Sequence, residues 1–174
     1  MKKERETANK YRQQALEGDL MAMNNMGVCY AQGIGVVENH ATAFEWYMKA
    51  AELGDTYACY NVAECYYLGD GVEQDYEKAL HWYLIAAEKG DVQSQVNAAN
   101  AYYLGQGTEE NHEKAHEWWM KAAQRGIFRV RKTSEPTIGT AMEWRKMTAG
   151  QPSGMKWQAS KEMHRLSSLQ DGST

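Results

Sequence analysis

The sequence predicts an all-α protein, a solenoid of αα-hairpins with three complete 36-residue repeats and a half-repeat in front of them. Three observations carry that prediction. Glycines fall at Gly18, Gly54, Gly90 and Gly126, each 36 residues after the last, and Asp19, Asp55 and Asp91 follow the first three. Other residue types return on the same step: Asn25, Asn61 and Asn97, then Tyr30, Tyr66 and Tyr102, then Trp46, Trp82 and Trp118. Within one unit, Ala22, Asn25, Met26, Cys29 and Tyr30, and then Ala43, Trp46, Tyr47, Ala50 and Ala51, each have the i, i+3, i+4, i+7, i+8 spacing of a one-sided helix. Self-similarity at a period of this size marks a repeat array, in which each unit is too small to bury its own apolar face and must stack on its neighbours.

The half-repeat is residues 1–18. Tyr11 and Ala15 stand 36 residues before Tyr47 and Ala51, whereas Thr7, Lys10 and Gln14 replace Ala43, Trp46 and Ala50. This is a lone second helix made polar, as expected of a cap closing the open end of a stack.

Repeat 1 spans 19–54, repeat 2 spans 55–90 and repeat 3 spans 91–126. Asp19, Asp55 and Asp91 are the predicted N-caps of the first helices, their carboxylates accepting from N–H groups that have no partner within the helix. Asn39, Asp75 and Asn111 serve the second helices in the same way. The pairs Gly33/Gly35, Gly69/Gly71 and Gly105/Gly107 can adopt positive φ, ending the first helix and reversing the chain. Gly54, Gly90 and Gly126 are expected to end the second helices. Paired alanines (Ala50/Ala51, Ala86/Ala87, Ala122/Ala123) allow close helix approach, with Trp and Tyr expected to fill the wider gaps.

The tail, 127–174, loses the period and contains both prolines, Pro136 and Pro152. Local signals predict a helix from about 141 to 148, where Thr140 and Glu143 have capping-box form, and a second from about 155 to 167. Residues 1–126 carry 11 basic and 19 acidic side chains, and 127–174 carry 8 and 4. A partly ordered basic tail folding against the acidic body and a disordered terminus are both compatible with that contrast.

The repeated order (A/S)-x-x-N-x-(G/A)-x-x-Y, G-x-G, then (K/T)-A-x-x-W-(Y/W)-x-x-A-A-x-x-G resembles the Sel-one-like repeats, relatives of the tetratricopeptide repeat, over residues 19–126. Departures are few: Ser94 stands where Ala22 and Ala58 do, and Thr108 where Val36 and Val72 do. The resemblance implies a right-handed solenoid whose first helices line the concave side. It further implies an adaptor that binds proteins or peptides without a cofactor, in a bacterial cytoplasm.

Charge and hydropathy narrow the classes. The acidic body argues against duplex nucleic acid, which needs clustered Lys and Arg to neutralise phosphates. The charged start, Met1 to Glu6, has no apolar run after it, so no secretory signal is expected, and no stretch approaches a membrane span. Cys59 and Cys65 lie about 240° apart on one helix, and Cys29 and Cys65 occupy equivalent positions in successive units. Free thiols in a reducing cytoplasm are the expectation.

Two motifs point to enzymes. His112-Glu113-Lys114-Ala115-His116 spells H-E-x-x-H, the two-imidazole zinc motif of metalloproteases, but the repeat accounts for it: His112 falls at the position of His40 and Tyr76, His116 at that of Phe44 and Leu80. Ser153 and Lys156 match S-x-x-K, and Lys132-Thr133-Ser134 resembles K-T-G, the elements of a penicillin-recognising hydrolase. Their order is reversed and no S-D-N lies between them. Some cysteine-rich members of the resembling family are described as penicillin-binding, but they carry a Cys pair in every repeat, and repeat 3 here has none. The hydrolase is the alternative reading; neither a catalytic nor a metal-binding set is assigned.

What remains is surface. With Ala22, Met26 and Cys29 inward, helix geometry sends Leu20, Asn24, Val28 and Ala31 outward, then Tyr60, Glu64 and Tyr67, then Val96, Asn100 and Tyr103. If the first helices are concave, as the resemblance implies, these ten form one groove. Tyrosines beside Asn and Glu offer large contact area at low entropic cost, with hydrogen-bonding tips, as a peptide-binding surface requires.

Overall fold

The computed structural model describes residues 2–130, with side chains through Arg125. Residues Met1–Arg125 form one compact unit. The expected helices near 141–148 and 155–167, and the docking of the basic tail, fall outside the described residues.

The described residues form seven helices and no strand: α1 (Lys2–Leu16), α2 (Leu20–Gln32), α3 (His40–Glu52), α4 (Thr56–Leu68), α5 (Tyr76–Glu88), α6 (Val92–Leu104) and α7 (His112–Val130). From α1 to α6 each helix packs on the next in chain order. The predicted caps hold their places. Asp19, Asp55 and Asp91 accept from the N–H of Ala22, Ala58 and Ser94, and Asn39, Asp75 and Asn111 from Thr42, Lys78 and Lys114. Each such cap stabilises its helix by about 1 kcal/mol.

The two glycines of each loop have different tasks. Gly33, Gly69 and Gly105 are left-handed C-caps whose N–H groups bond back to Cys29, Cys65 and Ala101. The second glycine also has positive φ, and a Cβ there would run into backbone of an earlier helix: Gly35 into Glu4, Gly71 into His40, Gly107 into Tyr76. Glu4, His40 and Tyr76 are themselves 36 residues apart, so α1 stands to repeat 1 as α3 stands to repeat 2. This is the half-repeat in its structural role. Its Ala8 and Ala15 are buried.

Two sequence expectations are corrected. Gly126 does not end the last helix, because α7 runs on to Val130. Gly18, Gly54 and Gly90 are each followed by an Asp that caps a new helix, whereas Ile127 offers no cap, and a helical Gly costs only about 1 kcal/mol relative to Ala. The indoles also bury less than expected. Tyr47, Tyr66, Tyr83 and Tyr102 join the alanines inside, while Trp46, Trp82 and Trp118 stay half-buried. Lys49 lies 4.8 Å from the Trp46 ring and Lys121 3.8 Å from that of Trp118, which suits a ring with one face toward solvent.

Neighbouring repeats are also tied end to end. Lys89 donates to the Gly54 carbonyl at 2.6 Å and Arg125 to that of Gly90 at 3.1 Å. One turn into the first helices, the Cys59 thiol reaches the Ala51 carbonyl and the Gln95 amide that of Ala87, each satisfying an acceptor at the end of the preceding helix.

Candidate functional site

The face proposed from sequence belongs to α2, α4 and α6. Leu20, Asn24, Val28, Ala31, Tyr60, Glu64, Tyr67, Val96 and Tyr103 are half-buried and Asn100 is exposed, so none of the ten is lost to the core. Side-chain hydrogen bonds join these helices across the repeats. The Asn61 amide donates to Asn24 Oδ1 at 2.8 Å, and the Asn97 amide to Glu64 Oε1 at 3.0 Å.

The tyrosines of this face lean on the second helices. Tyr60 sits 6.2 Å from Tyr83, Tyr67 sits 5.4 Å from Tyr76, and Tyr103 lies 4.9 Å from His112 and 5.5 Å from Trp119. Each therefore divides its ring between repeat packing and the surface. That division holds the rings in place and lowers the entropy a partner would have to remove.

Glu64 is the polar centre. Its Oε1 accepts from the Tyr83 hydroxyl as well as from the Asn97 amide. Burial, and then the Glu64 charge for Tyr60 and the Glu64 hydrogen bond for Tyr83, push both phenols above the usual tyrosine range, so both stay protonated. The sequence reading marked Glu64 and Tyr60 but assigned Asn61 and Asn97 to packing. Their recurrence at 36 residues is the signal that could have exposed the bridging role.

The other sequence motifs do not gather here. His112 Nε2 lies 2.7 Å from Glu110, and His116 is exposed on α7. Among the described residues no group of three or more His, Cys, Asp or Glu is placed to hold a metal ion. Ser153, Lys156 and the stretch 132–134 lie outside the described residues. Cys29, Cys59 and Cys65 are buried free thiols, and burial pushes Cys65 up to about 12, which suppresses the reactive thiolate.

A family model described as the Sel1 repeat matches residues 20–55, 56–91 and 92–127, one residue later than the frame set by the glycines. Among solved structures, c5321, described as a protective antigen present in uropathogenic Escherichia coli strains displaying an SLR fold, is 31% identical with a TM-score of 0.69, covering 71% of this chain and 26% of that one. A Sel1 repeat protein from Oxalobacter formigenes is 33% identical with a TM-score of 0.62, over 65% of this chain and 46% of that one. The chain thus spans between a quarter and a half of the length of these two. Helicobacter pylori cysteine rich protein B is 24% identical with a TM-score of 0.57, over 70% of this chain and 90% of that one, a likeness of fold alone. No curated protein sequence matches the chain.

Proposed function

Because the chain belongs to the Sel1 repeat family, we propose that it is a non-enzymatic adaptor that holds a peptide or protein segment along the face shared by α2, α4 and α6. Proteins built of these repeats generally serve as scaffolds for contact between proteins. The observation that supports this use of the face is its construction. Half-buried tyrosines, asparagines and one carboxylate run across three repeats, bridged by Asn61 and Asn97 and free of any residue sealed in the core. A surface held in place before contact loses little entropy on binding.

We assign the adaptor to a reducing compartment, the cytoplasm, on the three unpaired thiols. No observation favours the penicillin-hydrolase alternative.

The test is affinity capture with the full chain, comparing wild type with Asn100→Arg, and with a second variant carrying alanine at Tyr60, Tyr67 and Tyr103. Asn100 is exposed, so its change leaves the fold in place while adding bulk and charge to the face. Loss of the captured partner in both variants, at unchanged helicity for Asn100→Arg, is the expected result. An undiminished capture by both moves the interaction to another surface.

A further inference from the structure

Charge in the described chain is sorted by helix. Every Lys and Arg from residue 2 to residue 125 lies on α1, α3, α5 or α7 or, as Lys89, caps α5. Within α2, α4 and α6 the only charged residue is Glu64. Its repeat equivalents are the neutral Val28 and Asn100, so the charge stands in the middle repeat alone.

The groups that hold Glu64 are all neutral. Tyr83 and Asn97 orient the carboxylate by hydrogen bonding, and no Lys, Arg or His of the described residues forms an ion pair with it. A half-buried carboxylate so placed has no countercharge among these partners, and interactions there are screened less than on an open surface. Tyr60 and Tyr67 stand one turn before it and one turn after it along α4, and aromatic rings attract cations. A purely structural acceptor at this position could be an amide, since Asn97 and Tyr83 require only an oxygen.

We propose that Glu64 anchors a single cationic side chain, Lys or Arg, of the bound peptide segment. The proposal rests on the reading of the α2, α4 and α6 face as the docking face, and it specifies the chemistry of the partner. The segment is extended or helical with one Lys or Arg set against Glu64, and uncharged or apolar residues lie over Val28, Val96 and Tyr103. An acidic residue at the anchored position is rejected by repulsion, which makes the same carboxylate a specificity element.

An array of random-sequence peptides probed with the full-length chain, as wild type, Glu64→Gln and Asn100→Arg, tests this. Glu64→Gln keeps the Oε1 acceptor for Tyr83 and Asn97, so the fold is retained, which circular dichroism checks. The expected result is that wild type retains peptides sharing one Lys or Arg at a common position. Glu64→Gln should weaken them about ten- to hundredfold, as should replacing that one residue of a retained peptide by Gln. Retained peptides with no common cation, or a cationic preference that persists in Glu64→Gln, overturn the anchor while leaving the docking face standing. If wild type retains nothing, or Asn100→Arg leaves the whole pattern unchanged, the docking face and the anchor fall together.

Discussion

The side-chain amide of Asn97 on α6 donates to Glu64 on α4 at 3.0 Å, across a repeat boundary. One repeat earlier Asn61 on α4 donates to Asn24 on α2 at 2.8 Å. The same repeat position thus bridges consecutive first helices twice, with different acceptors. Asn61→Ala and Asn97→Ala should each lower stability by about 1 kcal/mol, the bond to the carboxylate costing the more. Chemical denaturation of the two variants measures it, and equal stability to wild type in both would show that the bridges are incidental.

The loop glycines separate two costs. Gly69→Ala meets strain at φ 74° and, at 3.3 Å, a Gln74 Cβ that has to give by only a few tenths of an ångström, so a loss of about 1 kcal/mol is expected. Gly71→Ala meets the same strain at φ 71° and also the His40 carbonyl, which is backbone and cannot move aside without dislodging α3. Its loss should exceed about 2 kcal/mol. Thermal melts of the pair decide the matter, and equal losses would refute the close approach.

Ser94 is 0% exposed, and its Oγ has no hydrogen-bond partner at a position filled by Ala22 and Ala58 in the other repeats. An unsatisfied buried hydroxyl destabilises by about 1–3 kcal/mol. Ser94→Ala should therefore raise the melting temperature, and a fall would mean that the hydroxyl is satisfied in solution.

His40 joins successive repeats, with Nε2 3.1 Å from Glu38 and Nδ1 2.8 Å from Asp70. The hydrogen bond that the ring donates to Glu38, and then the close Asp70 carboxylate, raise its pKa above the ordinary 6.5. A raised folded-state value favours the protonated ring in the fold. Its contribution is fully present below the ordinary histidine value and is lost as pH rises through the folded value. The stability difference between wild type and His40→Gln should therefore be larger near pH 6 than near pH 8, and smaller at high salt because the pair is exposed. A difference that grew with pH would reverse the assignment.

Some of this was legible in the chain because it follows from period and local chemistry. Asp19, Asp55 and Asp91 cap helices wherever those helices end up, and Gly33, Gly69 and Gly105 reverse the chain whatever lies opposite. The polar half-repeat was readable because Tyr11 and Ala15 keep the spacing of a second helix. The Sel1 identity of residues 20–127 follows from the same recurrences.

Other features needed the third dimension. Gly126 resembles its three predecessors, yet α7 continues past it, because helix termination depends on what the next residues can cap. The tryptophans keep their period but not their burial, since periodicity reports which face a residue occupies and not how deep that face lies. Asn61 and Asn97 carry an identical local signature, and only the packing of one repeat on the next turns one toward Asn24 and the other toward Glu64. The amino-acid sequence by itself determined the repeat, its helices and its turns, which are set by contacts a few residues apart. The tertiary structure alone decided which side chains meet across repeats, because those encounters join residues more than thirty positions apart along the chain.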